Sequence, residues 1–336
     1  MNRKLATALF ALTTSVSATA AMAADECGDV SIASMNWASA ELMAAVDAII
    51  LSEGFGCDVE LVPGATTTTF ASMNEKGQPD VAPELWINAV REPLLKAQEE
   101  GSLVTVNAGP ITDLGEGWWV TEKFRNDHPE LDTVEKLLEH PELFPYAEDE
   151  SLGAFVGCPA GWGCQLANAN MFRAFEMEEK GWVLVDPGSA AGLDGSIAKA
   201  VERDEPWFGY YWSPTSIIGK YKLQMLPYEA EWGGTENWDG CIVKAEQDCL
   251  DPQKTSWTKS EVSTVVTDDF LEKAGPAAAY FENRVFPGEI MNNMLVFMTE
   301  NQASGEDAAY EFLATQEDVW TQWVSPDVAE KVKGAL

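Results

Sequence analysis

A chain of 336 residues, 46% of them hydrophobic, can bury a sizeable core, and that length is more often two domains than one. Its 55 acidic residues against 21 basic ones give a formal net charge of −34, which excludes nucleic acid as a partner and repels an anionic membrane surface. Most of those carboxylates read as a solubilising surface that weakly favours cations without selecting one.

Residues 1–23 read as a secretory leader: Arg3 and Lys4, an apolar run from Leu5 to Leu12, then small residues closing in Ala21-Met22-Ala23. Cleavage is expected before Ala24 and the run is too short to span a bilayer, so the mature chain is expected to be exported to a bacterial periplasm. Cys27 follows Ala24-Asp25-Glu26, without the residues that precede a lipoprotein cysteine, and no later stretch reaches transmembrane length, so no membrane insertion is expected. The six cysteines fall in three neighbourhoods, Cys27 with Cys57, Cys158 with Cys164 and Cys241 with Cys249, and short loops favour local pairing among the 15 possible sets. His128 and His140 lie far from any cysteine in sequence, which reads against a zinc site.

Strand-like and helix-like segments alternate, the sequence mark of an α/β fold. Val30–Ala33 reads as a strand, Asn36-Trp37-Ala38-Ser39 as a loop with an N-cap at Ser39, and the residues after it as a helix with Leu42, Val46, Ile49 and Ile50 at helical spacing. Val59–Val62 is the next strand. The Thr66–Thr69 run caps a helix, and Glu84-Leu85-Trp86 ends another strand. Trp37 and Trp86 both fall just after strands, where open α/β sheets place ligands.

Helix 92–100, strand 103–106 and Gly115-Glu116-Gly117-Trp118-Trp119-Val120 follow. Adjacent tryptophans in a strand point to opposite faces, so at most one of Trp118 and Trp119 meets a ligand. A short helix is read over 132–138, and Gly153–Val156 delivers Gly157-Cys158-Pro159-Ala160-Gly161-Trp162-Gly163-Cys164. There a disulfide would clamp a glycine-rich turn that projects Trp162 beside free amides, and the helix over 165–175 adds its dipole. A ring face beside free N–H groups suits a ligand with a cation at one end and a compact anion or dipole at the other.

Strand 183–185 and helix 192–202 lead to Pro206-Trp207-Phe208-Gly209-Tyr210-Tyr211-Trp212-Ser213-Pro214, in which Phe208 and Tyr210 read as core and Trp212, at the strand end, as a site residue. Cys241–Cys249 reads as a surface loop, and 270–284, 289–300 and 306–324 as helical.

Thirteen tryptophans, several in loops after strands, need a reason beyond packing. Sugar stacking and caging of a methylated ammonium compete, and the clamped amides favour the second. At about 0.5–2 kcal/mol per cation–π contact, three or four rings supply much of the roughly 8 kcal/mol of a micromolar complex.

Asn36-Trp37, Pro83-Glu84-Leu85-Trp86, Gly117-Trp118-Trp119-Val120, the Cys158–Cys164 loop and Tyr210-Tyr211-Trp212-Ser213-Pro214 together resemble the OpuAC family, the periplasmic substrate-binding proteins of ABC importers for glycine betaine, choline and related osmolytes. The resemblance implies a non-enzymatic, two-lobed α/β periplasmic-binding-protein fold, type II-like, with the ligand cleft between lobes, the first lobe built from 24–118 and 223–336 and the second from 119–222. It assigns Trp162 a cage wall, Gly163 and Cys164 amide donors, Trp86 and Trp212 further walls, and Trp37 with Trp118 or Trp119 aromatic positions. Glu84 and Glu116, each beside a candidate tryptophan, would set negative charge against the ammonium. Arg173 and Arg203 sit on expected helices and read as surface charges, so the carboxylate-binding arginine of some members has no placed counterpart.

Glycine betaine is the first expected ligand, with trimethylamine N-oxide, choline and dimethylsulfoniopropionate close. A monomer is expected that delivers its ligand to the membrane permease of an importer, with no cofactor or metal. The rival is an exported glycan-binding protein, or a hydrolase with paired carboxylates and tryptophan subsites, for which no residue spacing singles out a pair.

Overall fold

The computed structural model describes residues 27–336, so the leader expected over 1–23 lies outside the described residues. Strand β1 (Asp29–Met35), helix α1 (Ala38–Ile49), β2 (Asp58–Gly64), α2 (Thr66–Lys76), β3 (Val81–Trp86), α3 (Arg91–Glu99) and β4 (Leu103–Asn107) open the first lobe. The chain crosses to β5 (Gly115–Thr121), α4 (Glu122–Asp127), α5 (Val134–Leu138), β6 (Pro145–Tyr146), β7 (Asp149–Val156), α6 (Gly163–Ala174), β8 (Trp182–Val185), α7 (Ala190–Glu202), β9 (Phe208–Ser213), α8 (Ser216–Tyr221) and β10 (Leu223–Met225). It returns through the single turn α9 (Gly234–Asn237) to β11 (Val262–Thr267), then α10 (Asp268–Ala274), α11 (Pro276–Asn283), α12 (Gly288–Asn301), α13 (Gly305–Thr315), α14 (Glu317–Trp320) and α15 (Pro326–Ala335).

Two sheets result. The first runs β2-β1-β3-β11-β4, with β1 parallel to both neighbours and β11 antiparallel to its own. The second runs β10-β5-β9-β7-β6, with β8 beside β7. β5 pairs with β9 along its length from Gly115 opposite Ser213, and β10 pairs with β5, so the crossings fall before Gly115 and after Met225. That differs from the expected breaks at 118 and 222, which would cut β5 and separate β10 from it. All three disulfides join the expected neighbours, Cys27–Cys57, Cys158–Cys164 and Cys241–Cys249. Among the described residues no helix is long and apolar enough to cross a membrane.

Ser39 does not cap α1. Trp37 occupies that position without a side-chain bond, and the Ser39 hydroxyl turns inward to Glu84. The segment over 241–249 is no simple surface loop either, because Cys249 is buried and the buried Asn170 of α6 donates to the carbonyls of Ile242 (2.9 Å) and Lys244 (2.8 Å). Those bonds tie the second clamp to the second lobe.

Behind β3, Arg284 is fully buried with its Nε 3.1 Å from Asp47 Oδ1, while its Nη2 donates to Thr264 Oγ1 (2.7 Å) and to the carbonyl of Pro83 (3.2 Å). Tyr280 donates its hydroxyl to Asp47 Oδ1 at 2.5 Å. Because breaking a buried pair strands one charge, Arg284→Met is expected to cost about 3–5 kcal/mol, read from urea unfolding.

Candidate ligand-binding site

The lobes meet over a small cavity of about 30 Å³, lined among others by Trp37, Trp86, Glu116, Trp162, Tyr210, Trp212, Trp238 and Trp257. Each lobe supplies rings from the ends of its strands. Trp37 follows β1 and Trp86 closes β3, while Tyr210 and Trp212 lie on β9 and Trp162 stands at the start of α6. The rings touch in a continuous train. Trp162 meets Trp37 edge-on at 5.4 Å between centroids and Trp212 at 5.0 Å; Tyr210 stacks on Trp212 at 6.4 Å and meets Trp257, which meets Trp238, each at 5.4 Å. Trp37, Trp86, Trp162 and Trp212 are 4%, 9%, 5% and 7% exposed, so their faces are out of bulk water, where a ring quadrupole attracts a cation most strongly.

The clamped turn acts through two different glycines. Gly161 takes φ +84°, which a side chain resists, and its carbonyl accepts from Thr67 N (3.3 Å) and Thr67 Oγ1 (3.0 Å) in the first lobe. Gly163 is needed for close approach instead, since a Cβ there would stand 2.6 Å from Ala89 Cβ. Gly163 and Cys164 begin α6, so their N–H groups have no acceptor within the helix, while Gln165 N bonds to Trp162 O at 3.2 Å. Helix α6 therefore brings its positive end to the cavity wall.

Further bonds join the lobes around these rings. Trp162 Nε1 donates to Asn36 Oδ1 (2.8 Å) and Asn88 Nδ2 to Glu116 Oε2 (3.2 Å). On the returning segment, Trp238 Nε1 donates to Asn88 O (3.2 Å) and Lys244 pairs with Glu92 at 2.7 Å, holding that segment to the first lobe.

The two expected acids take different stations. Glu116 lines the cavity, where desolvation pushes its carboxyl up to about 7 against hydrogen bonds led by that of Tyr210, whose hydroxyl donates at 2.8 Å. Glu84 is fully buried and stands behind the rings. Its Oε1 accepts from Trp37 Nε1 (2.7 Å), Trp86 Nε1 (2.9 Å) and Ser39 Oγ (2.9 Å).

Residues 28–315 match the OpuAC family, the substrate-binding domain of ABC-type glycine betaine transport systems. The chain belongs to that family. OpuAC domains bind substrate for a transporter and are not enzymes. The chain is 24% identical over 326 residues, 95% of its own length and 98% of the relative's, to the trimethylamine N-oxide-binding protein of Pelagibacter ubique (strain HTCC1062). Its fold is that of an ABC-transporter choline-binding protein solved with choline (TM-score 0.70, 18% identity, 92% of this chain and 98% of that one). The glycine betaine and L-proline-binding protein ProX of Borrelia burgdorferi is similar in fold (TM-score 0.69, 15% identity, covering 90% and 99%).

Of the OpuAC positions expected from sequence, Trp37, Trp86, Trp162, Gly163, Cys164, Trp212 and Glu116 come together on one cavity. Trp118 and Trp119 do not. They leave opposite faces of β5 as expected, but Trp118 is fully buried among Phe155, Phe175 and Phe208 and donates Nε1 to Asn168 Oδ1 (2.8 Å). Trp119, on the other face, donates Nε1 to the carbonyl of Tyr211 (2.8 Å). In the β5–β9 register Glu116 stands opposite Trp212 and Trp118 opposite Tyr210; the acid, two pairs nearer the strand end, lines the cavity, and the indole enters the core. Tyr210, expected in the core, lines the cavity. Trp238, Trp257, Asn88 and Thr66 line it unforeseen. The one sequence signal for the two indoles was tryptophan flanked by polar neighbours, Asn237 and Asp239 for the first, Ser256 and Thr258 for the second.

Proposed function

We propose that the chain captures a trimethylammonium-type osmolyte between its lobes in the periplasm and delivers it to the permease of an ABC importer, with trimethylamine N-oxide its best-fitting ligand. The observation that carries this reading is the train of desolvated rings around a cavity whose lining acid, Glu116, is raised to about 7. Rings from both lobes surround the methyl groups, so binding and closure are one event. Three disulfides agree with an oxidising compartment.

The oxygen end favours the N-oxide over glycine betaine. Among the described residues no Lys or Arg lines the cavity to receive a carboxylate. Glu116 in its neutral form donates one hydrogen bond, and the indole N–H of Trp257, which faces Glu116 at the cavity wall, supplies another donor. A single compact oxygen of partial negative charge satisfies them. The trimethylamine N-oxide-binding relative, aligned over nearly its whole length, supports the same ligand.

Calorimetry with trimethylamine N-oxide, glycine betaine, choline and dimethylsulfoniopropionate tests the proposal. One site at micromolar affinity or tighter is expected for the N-oxide, weaker binding for glycine betaine, and no turnover of any. Binding of a sugar or peptide with none of the four would overturn it.

Glu116 also sets a pH dependence. If the bound form carries the proton, N-oxide affinity falls as pH rises above about 7, by about tenfold per unit once the free protein has lost that proton. Glu116→Gln keeps an N–H donor and removes the alkaline fall. Affinity that climbs on through the alkaline range would show Glu116 serving as an anion instead.

A further inference from the structure

Glu84 touches no part of the cavity, yet it joins two of its walls. One oxygen accepts both indole N–H groups of Trp37 and Trp86 together with the Ser39 hydroxyl, and its side chain has no exposure at all. An apolar residue would fill that space at less cost, since an isolated buried carboxyl is expensive and Oε2 has no partner. Two donors that rigidly converge on one oxygen fix the rotation of both rings. Their distances of 2.7 and 2.9 Å lie at the short side of the N–H···O range, where a charged acceptor fits. Burial pushes the Glu84 carboxyl up to about 7, against the bonds from Trp37, Trp86 and Ser39 and the charge of the buried Arg284, so the ionised form prevails above that pH, where its effect is to be measured.

We infer that Glu84 is a positioning residue that fixes Trp37 and Trp86 and, through two N–H···O⁻ bonds, pushes electron density into their faces and strengthens their attraction for the ligand's cationic end. A hydrogen bond to a charged acceptor polarises its donor, and a donor indole that becomes richer in electrons presents a more negative face. The contribution is electronic as well as geometric, which separates it from packing. It rests on the cage reading, so the test must separate its own failure from that of the cage.

The separating measurement is the affinity ratio between trimethylamine N-oxide and tert-butanol, which has the same three methyls and one oxygen without the nitrogen charge, in wild type and in E84Q. The glutamine carbonyl still accepts from the indoles but carries no charge. In the wild type the ratio is expected to favour the N-oxide strongly; in E84Q it is expected to fall about five- to tenfold through loss of N-oxide affinity, with tert-butanol unchanged. Equal losses for both ligands, or none for either, would overturn the electronic role. A wild type without cation preference would instead sink the cage itself. In Trp86→Phe, which has no N–H to polarise, the E84Q effect should shrink. Should E84Q fail to fold, the wild type still decides by NMR. The indole N–H resonances of Trp37 and Trp86, assigned through their Phe variants, are expected downfield of that of Trp212 and slow to exchange. Finding all three together would overturn the inference.

Discussion

Trp162→Leu is expected to weaken osmolyte binding about a hundredfold, whereas Trp162→Phe loses only about fivefold. Two separable interactions set the gap. The ring lies between Trp37 and Trp212, desolvated on both sides, where a cation–π contact is worth about 2 kcal/mol or roughly thirtyfold. Its Nε1 also donates across the lobes to Asn36 Oδ1 at 2.8 Å, a net gain of about 1 kcal/mol or fivefold. Phe keeps a quadrupole and loses the bridge; Leu loses both while keeping apolar bulk. Calorimetry on both variants reads the difference. Equal affinities for Phe and Leu would mean that the rings serve only as apolar surface.

Gly163→Ala should abolish high-affinity binding, by about a hundredfold or more, without lowering the melting temperature of the ligand-free protein. The substitution is harmless within its own helix, where Ala is the better helix former. The conflict lies across the cleft, because the added Cβ would stand 2.6 Å from Ala89 Cβ and 3.6 Å from Thr66 Cγ2, both in the first lobe. Ala89 Cβ is fixed to its backbone and cannot swing aside, whereas the approach to Thr66 Cγ2 is ordinary contact. An open form escapes the clash and a closed one does not. Removing the opposing methyl with Ala89→Gly should restore much of the affinity, and small-angle scattering should show the Gly163→Ala protein failing to compact with ligand. Compaction like that of wild type would place the lobes differently from the closed arrangement described above.

The sequence made the scaffold and the centre of the cleft legible because both are written in local signals. Alternating strand and helix patterns, the paired cysteines and the Gly-x-Gly around Trp162 each act within a few residues. What it hid depends on where a local pattern meets a distant one. The alternation of β5 puts Trp118 and Glu116 on one face, but only the register with β9 says that the cavity ends between them. Tyr210 looked like core for the same reason, its strand being buried on both faces with the cavity beginning at its hydroxyl end. Trp238 opens a short π-helical turn and Trp257 lies in irregular chain, neither marked by any periodicity, and α6 fixes the first of their segments through Asn170. Glu84 was read as facing the ligand from its place beside Trp86. Two apart on β3, the acid and Trp86 share a face, but hydrogen bonds to the indole N–H groups of Trp37 and Trp86 turn its carboxylate to their edges instead of into the cavity.

The central claim is that the rings attract a charge rather than merely bury methyl groups. Titrating the ligand-free wild type with choline and with its carbon isostere 3,3-dimethyl-1-butanol, which differ only in the charged nitrogen, tests it most directly. A cage of four desolvated indoles predicts a choline affinity at least a hundredfold above that of the isostere, because each contact contributes about 0.5–2 kcal/mol only to the charged ligand. Affinities within about threefold of each other would contradict it, leaving an apolar pocket of the right shape and no quaternary-ammonium cage.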